Sequence, residues 1–309
     1  GPPVMPSPME AVHLTNPLPS NRSHHSFVNA VHVVHVQLQL LERVAGRRGV
    51  FRRDLKLCDD ATGASKQGAV RDSEGRPIER FGSTIVADIH DPAMELVRSD
   101  GPVAGETIEV VDILSKGLLL TDMRLQELLF EQSTELDWQH TSVADFVAEV
   151  QDSLSLLCID RRWTVTYTKD DHDEQSHLVE LSVTTRSVDR LSVPTVLARF
   201  LAYLAHASIL RTKPGGRLAV AVVDEGENIS ATVRDTGRAI ALEGLNERLK
   251  GLVASGDPHA EGAHAVDAPL ATIASFATRA GGRCVVEVRP SSESMVRITV
   301  PRKASGEWS

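Results

Sequence analysis

The 309-residue sequence has few cysteines and no long apolar run, and each shortage excludes a class of protein. Its three cysteines, Cys58, Cys158 and Cys284, are odd in number and far apart, so we expect reduced thiols and no cysteine metal site. No apolar stretch approaches the roughly 20 residues that cross a bilayer, and no signal peptide is recognised. The sequence therefore predicts a cytoplasmic protein without membrane insertion.

Basic residues are also fewer than acidic residues. Lysine and arginine number 33 against 42 aspartates and glutamates, which gives a formal net charge of -9. Proteins that bind nucleic acid by neutralising phosphates need the opposite balance. We therefore expect protein or small-molecule partners and no nucleic acid. The chain is long enough to form two domains.

What the sequence does contain is a strongly amphipathic stretch at residues 24–41, HHSFVNAVHVVHVQLQLL. On a helix its apolar side chains fall on one side: Phe27, Val31, Val34, Leu38 and Leu41. His25 points away from this stripe. Asn29 and His32 lie within about 40° of His25, on the same polar face. His25 is thus placed where another protein can reach it, although a histidine near a helix start is often an ordinary solvated residue.

The chain before position 136 predicts a tail and a helical hairpin. Residues 1–20 contain six prolines and are expected to form a tail without regular structure. Residues 21–135 are expected to form the hairpin, with a long connector at 47–106 and a second apolar repeat at 111–128. Two such helices cannot bury both stripes alone, so a homodimer forming a four-helix bundle is predicted. A monomeric helical domain packed on the C-terminal half is the alternative.

Residues 141–303 change to an α/β pattern. Helices are predicted at 143–157, 193–209, 242–253 and 269–280, and strands at 163–168, 178–184, 217–223, 229–234, 284–288 and 295–300. Ser192 and Pro194 are interpreted as the cap and first-turn proline of the second helix. A mixed sheet covered by helices on one face satisfies this order. The predicted fold class is α+β, a dimeric helical hairpin followed by an α/β sandwich.

The first helix resembles the phospho-accepting helix of the HWE/HisKA_2 sensor histidine kinases, which reads HHRVKNNLQVI. HHSFVNAVHVV occupies those positions, so the resemblance matches His25 to the phosphorylated histidine and Asn29 to the family's asparagine. Ser26 and Val28 replace the Arg and Lys of the family pattern.

The second domain resembles the ATP-binding domain of histidine kinases, the Bergerat or GHKL fold, in the stretches VRDTGRAI and AGGRCVVEV. Alignment of LNELLTNALKH with LARFLAYLAHA places Arg199 at the acid and Tyr203 at the magnesium-binding asparagine, and neither can replace the original. Asp235 and Gly237 keep part of the adenine loop, but Ala239 stands at its second glycine. No phosphate-cradling GxG cluster occurs between 241 and 280. The resemblance implies a vestigial nucleotide site without a metal.

Both halves together resemble the ChpT-type histidine phosphotransferases of bacterial phosphorelays, also in PGGRLAVAV and LKGLVASG. This resemblance implies that His25, assisted by Asn29 and His32, exchanges a phosphoryl group with receiver-domain aspartates. No cofactor of its own is expected, because the receiver supplies the magnesium. The expected partners are response-regulator receivers, a hybrid histidine kinase and a second copy of the chain. A divergent kinase that still binds ATP, a pseudokinase scaffold and a receiver phosphatase using Asn29 are the alternatives.

Overall fold

The computed structural model describes residues 9–17, 32, 35, 36, 39, 138–157, 163–166, 177–255 and 264–302. Its helices are α1 (Val143–Leu157), α2 (Leu197–Arg211), α3 (Leu245–Ser255) and α4 (Asp267–Arg279). Its strands are β1 (Glu10–His13), β2 (Trp138–Ser142), β3 (Trp163–Thr166), β4 (His177–Thr184), β5 (Arg190–Pro194), β6 (Arg217–Asp224), β7 (Asn228–Asp235), β8 (Arg283–Val288) and β9 (Ser294–Pro301). The fold class is α+β, as predicted.

Seven strands form one mixed sheet in the order β1-β8-β9-β7-β6-β4-β3. The β3–β4 and β4–β6 pairs are parallel, and the other pairs are antiparallel. Because side chains alternate between the faces of a strand, one buried row crosses the sheet in register: Val286, Val296, Val233 and Val220. Helices α2 and α4 contact these central strands, so the predicted mixed sheet with helices on one face is confirmed.

Helix α2 occupies the centre of the core. Every residue from 197 to 209 is buried, because α2 packs against α1, α4 and the sheet at once. The ring of Phe200 meets that of Phe276 on α4 edge to face, with their centroids 4.9 Å apart. A helix buried on all sides cannot present one polar face to solvent, and this limits which of its residues can reach a ligand.

The prediction that residues 1–20 lack regular structure is wrong for Glu10–His13. These residues form β1 and pair antiparallel with β8, from Glu10 opposite Val288 to His13 opposite Val285. The prolines of this region all precede residue 9 or follow residue 16, so the backbone N–H groups of β1 are free to pair. The number of prolines in residues 1–20 therefore does not apply to residues 9–16, which contain none.

The predicted start of the second helix is also wrong. Ser192 and Pro194 belong to β5, which pairs with β2 in a separate two-stranded sheet, and α2 begins only at Leu197. Leu191 and Val193 are buried on either side of a half-exposed Ser192, which is the alternation of a strand. Helix α1 follows β2 directly, and the hydroxyl of Ser142 accepts the Asp145 N–H at 3.0 Å.

The remaining boundaries agree with the sequence pattern to within a few residues. The turn predicted between β6 and β7 contains Gly226 at φ 88°, whose N–H donates to the Asp224 carboxylate at 2.9 Å. Gly281 follows α4 with φ 73°, in the left-handed region that favours glycine. No helix in the described part of the chain has the length and apolar character needed to cross a membrane.

Four described residues fall within the predicted first helix, and all of them are helical: His32, His35, Val36 and Gln39. The side chains of His35 and Gln39 hydrogen bond one turn apart, with 3.0 Å between their Nε2 atoms. His32 is exposed. His25, Asn29, the connector, the second apolar repeat and the predicted four-helix bundle lie outside the described residues.

Candidate functional site at the end of the second helix

Two positions of α2 bear on nucleotide binding, because the resemblance to histidine kinases places the acid and the metal-binding asparagine there. Arg199 and Tyr203 lie one turn apart on the buried helix and are 5% and 1% exposed. The Tyr203 ring lies 6.2 Å from that of Phe200, within the aromatic core. Magnesium prefers carboxylate, amide and water oxygens, which a guanidinium and a buried phenol do not provide. These two residues therefore do not fit a magnesium nucleotide.

Asp235, the last residue of β7, is buried at 3% exposure and accepts hydrogen bonds from three groups of the protein. Its Oδ2 accepts a hydrogen bond from the Ser208 hydroxyl at 2.8 Å and forms an ion pair with Nη2 of Arg211. Its Oδ1 accepts the backbone N–H of Gly237 at 3.1 Å. Oδ2 thus joins β7 to the last turn of α2, and Oδ1 holds the loop that follows β7.

Arg211 is the cation that balances this carboxylate. Burial lowers the pKa of Arg211, and the Asp235 carboxylate opposes that shift. The Nε of Arg211 also donates to the backbone carbonyl of Arg238 at 3.3 Å. A basic residue in the last turn of a helix is favoured by the helix dipole, so Arg211 stabilises both the helix end and the aspartate.

Gly237 allows the loop after β7 to lie directly on the end of α2. A Cβ at this position would come within 2.6 Å of both the Arg211 carbonyl oxygen and the Thr212 Cγ2. The next residue, Arg238, donates its backbone N–H to that same carbonyl at 3.1 Å. This close approach by itself requires a glycine at position 237.

A second buried ion pair joins α3 to α4. Arg248 bonds the Asp267 carboxylate with both its Nε and its Nη2, at 2.8 and 3.1 Å, and Asp267 is fully buried. Asp267 also accepts the His264 backbone N–H at 3.0 Å, and Arg248 donates to the Ala241 carbonyl at 3.0 Å. The chain's own side chains therefore link α3 to α4, within the range 241–280 that lacks a phosphate-cradling GxG cluster.

The structure brings together some of the residues that the sequence singled out and adds others. Asp235 ends β7 and Gly237 lies in the loop that follows it, and their partners Ser208 and Arg211 are not among the predicted site residues. Ser208 and Arg211 are three residues apart and so share one face of α2, but this spacing does not indicate which distant residue they bind. No group of three or more His, Cys, Asp or Glu in the described ranges is arranged to hold a metal ion.

A cavity of about 220 Å³ lies at the opposite end of β7 from Asp235. Its lining comes from strand ends and the turn after α4: Asn228, Gly281, Gly282, Arg283, Thr299 and Pro301. None of these residues was predicted as a site residue. The cavity is therefore separate from the loop of Asp235 and Gly237.

Several solved structures are similar to this chain at low sequence identity. No family model and no curated protein matches the sequence. Among solved structures, the chain is similar to histidine kinase ThkA in complex with response regulator protein TrrA, at 13% identity and a TM-score of 0.42, over 86% of this chain and 67% of that one. It is also similar to Acinetobacter baumannii histidine kinase AdeS (14% identity, TM-score 0.41, 71% and 96% coverage) and to a histidine kinase from Burkholderia phymatum (14%, 0.37, 72% and 97%). Similarity at this level does not assign a function, which has to come from the chain's own residues.

Proposed function

We propose that the chain is a histidine phosphotransferase of a two-component phosphorelay and that it works without ATP. An imidazole nitrogen of His25 attacks the phosphorus of an aspartyl phosphate on a receiver domain. The new P–N bond forms as the P–O bond to the aspartate breaks, and the receiver's carboxylate leaves. Neutral imidazole is a competent nucleophile near pH 7, so this exchange needs no further activation by the chain.

The observation that carries this proposal is the engagement of Asp235 by Arg211 and Ser208. An adenine amino group would have to reach this carboxylate, which is only 3% exposed. Oδ2 already accepts from Ser208 and Arg211, and Oδ1 accepts the Gly237 N–H, so a nucleotide would have to displace Arg211 or Ser208 to gain access. Displacing Arg211 would leave a buried cation without its counter-ion, which typically costs about 3–5 kcal/mol. A phosphorylated protein is therefore a better donor for His25 than ATP.

The buried Arg199 and Tyr203 support the same conclusion, because phosphoryl transfer from ATP depends on a metal that neutralises charge. The resemblance of residues 24–34 to a phospho-accepting helix supports His25 as the acceptor, with Asn29 and His32 beside it on the polar face. Within this proposal the magnesium belongs to the receiver. The partners are receiver domains and a hybrid histidine kinase in the cytoplasm, and the chain acts as a homodimer.

The deciding experiment gives the purified chain two radiolabelled donors. One is magnesium ATP alone, and the other is a panel of receiver domains phosphorylated beforehand with acetyl phosphate. We expect label only from a phosphorylated receiver, in an acid-labile and base-stable form. The label should disappear in His25→Ala and persist in His24→Ala, which removes the neighbouring imidazole.

Each alternative function predicts a different result in that assay. Labelling from ATP alone would establish a divergent kinase and overturn the proposal. Receiver binding without transfer of label in any combination would point to a pseudokinase scaffold. Faster loss of phosphate from the receiver, abolished in Asn29→Ala while binding is kept, would identify a phosphatase.

A further inference from the structure

The N-terminal strand β1 ties the beginning of the chain to the α/β domain. It lies at the edge of the seven-stranded sheet, and the ladder with β8 continues through the Leu14 N–H, which donates to the Cys284 carbonyl at 2.9 Å. Val12 packs against the core, and Leu14 and Pro17 are buried. Residues 10–17, named here the strap, are therefore a docked element rather than a surface tail.

Polar side chains of two helices hold the strap beyond its strand. Asn246 on α3 uses both ends of its amide, since Oδ1 accepts the Thr15 N–H at 3.0 Å and Nδ2 donates to the His13 carbonyl at 3.1 Å. Ser275 on α4 donates to the Asn16 side-chain oxygen at 3.0 Å. The Asn246 amide thus takes the place of a peptide group in a neighbouring strand, because it forms one hydrogen bond with the Thr15 N–H and one with the His13 carbonyl.

The strap immediately precedes the segment that carries His25. His25 is the eighth residue after Pro17, so covalent geometry keeps this histidine within about 28 Å of the docked strap. The other covalent route, from His25 to Trp138 at the start of β2, is 113 residues long (138 - 25). The short route therefore limits how far the acceptor histidine can move from the α/β domain.

We propose that the strap positions the His25 helix on the α/β domain and that phosphoryl transfer is fast only while the strap is docked. This inference rests on the proposed phosphotransfer function. A receiver must meet His25 in one orientation, and a loosely held histidine must first find that orientation. Asn246 is accordingly a positioning residue, which acts through the strap and does not touch the phosphoryl group.

The test releases the strap and then locks it again. Asn246→Ala removes both amide bonds, and Lys250→Ala, an exposed residue of the same helix, is the matched control. The lock is a disulfide between Ala11→Cys and Glu287→Cys, with Cys58 and Cys158 replaced by serine. Ala11 and Glu287 are opposite residues in the antiparallel ladder. The Leu14 N–H donates to the Cys284 carbonyl, and since hydrogen-bonded pairs alternate along such a ladder, Ala11 and Glu287 form a non-hydrogen-bonded pair. Such non-hydrogen-bonded pairs have a Cα spacing that suits a disulfide.

Two quantities are measured for each protein: the rate of label transfer from a phosphorylated receiver to His25, and the hydrogen exchange of the β1 amides. We expect Asn246→Ala to lose β1 protection and to transfer label about tenfold more slowly, as a loosened reactive group does. Oxidising the lock in the Asn246→Ala background should restore both readouts, and dithiothreitol should reverse the rescue. Lys250→Ala should match wild type.

The outcomes separate a failure of the strap from a failure of the function. If β1 protection falls in Asn246→Ala while the transfer rate stays at the wild-type value, the strap proposal is wrong and the phosphotransferase proposal stands. If wild type takes no label from any receiver, both are wrong. Unchanged β1 protection in Asn246→Ala would overturn the assigned anchor. An oxidised lock that migrates as a covalent dimer without reductant would show that the strap docks on a second copy, which overturns the positioning of a chain's own histidine.

Discussion

Arg211 and Asp235 form a buried ion pair that joins the last turn of α2 to the last residue of β7. Their side chains are only 5% and 2% exposed. The resemblance to kinases treats Asp235 as the remnant of an adenine contact, whereas the structure gives it a partner within the protein. Because a buried charge is stable only when it is paired, the two residues depend on each other.

Asp235→Asn should therefore destabilise the α/β domain strongly. The substitution leaves the Arg211 guanidinium buried without a counter-ion, and we expect a loss of about 3–5 kcal/mol in the free energy of unfolding by urea. Glu180→Gln is the matched control, because it breaks an ion pair with Arg217 whose side chains are 42% and 54% exposed. That exposed pair is worth at most about 1 kcal/mol.

The double variant Arg211→Met with Asp235→Leu extends this test. Replacing both members of a buried pair by apolar residues typically recovers stability that the single change loses. If Asp235→Asn instead kept full stability and abolished an ATP-dependent rise in the melting temperature, Asp235 would be a nucleotide ligand.

Gly237→Ala should also destabilise the protein, because the added methyl group has no room. Its Cβ would come within 2.6 Å of the Arg211 carbonyl, which is backbone and cannot swing away. We expect a loss of about 1–3 kcal/mol in urea unfolding, as is usual for overpacking. Gly251→Ala in α3 is the control, since nothing lies within 4 Å of its Cβ and a helix gains about 0.5–1 kcal/mol from the change. Equal effects at the two glycines would contradict the close approach of the loop to α2.

Local patterns were enough to predict the central hairpin of the sheet. The strands predicted at 217–223 and 229–234 are Arg217–Asp224 and Asn228–Asp235 in the structure. Alternating apolar residues and a turn glycine are signals that lie within the segment itself, so no distant partner is needed to interpret them.

The sequence does not show which distant segments of the chain contact each other. Pro194 resembles a first-turn helix proline, yet it ends β5 because β2, from a segment more than 50 residues earlier, pairs with that strand. Asp235 poses the same problem at the candidate site. An aspartate two residues before a glycine suits either a ligand loop or a structural turn, and only the position of Arg211 at the end of another element distinguishes the two.

The Arg248–Asp267 pair should be sensitive to the shape of the cation as well as to its charge. Arg248→Met leaves the fully buried Asp267 carboxylate without its counter-ion, and we expect a loss of about 3–5 kcal/mol in the free energy of unfolding. Arg248→Lys keeps the charge but cannot bond both oxygens through a planar fork, so it should recover only about half of that loss. Hydrogen exchange of the α3 amides should speed up in both variants and stay unchanged in Lys250→Ala. Full recovery by lysine would mean that charge alone holds α3 to α4.

Cys284 should make the stability of the protein fall at alkaline pH. Burial raises the pKa of this thiol to about 12, whereas an exposed thiol ionises near pH 8.5. Between these two values the unfolded chain releases a proton that the folded chain retains, so rising pH favours unfolding by about 1.4 kcal/mol per pH unit. The stability that the buried thiol contributes is therefore complete below about pH 8.5 and is lost progressively as the pH rises toward 12.

Cys284→Ala removes this titration while other groups titrate as before. The difference in urea unfolding free energy between wild type and Cys284→Ala should be constant from pH 6 to 8 and should shift by about 2 kcal/mol, at the expense of wild type, by pH 10. Parallel stability curves across that range would mean that the thiol ionises equally well in the folded protein.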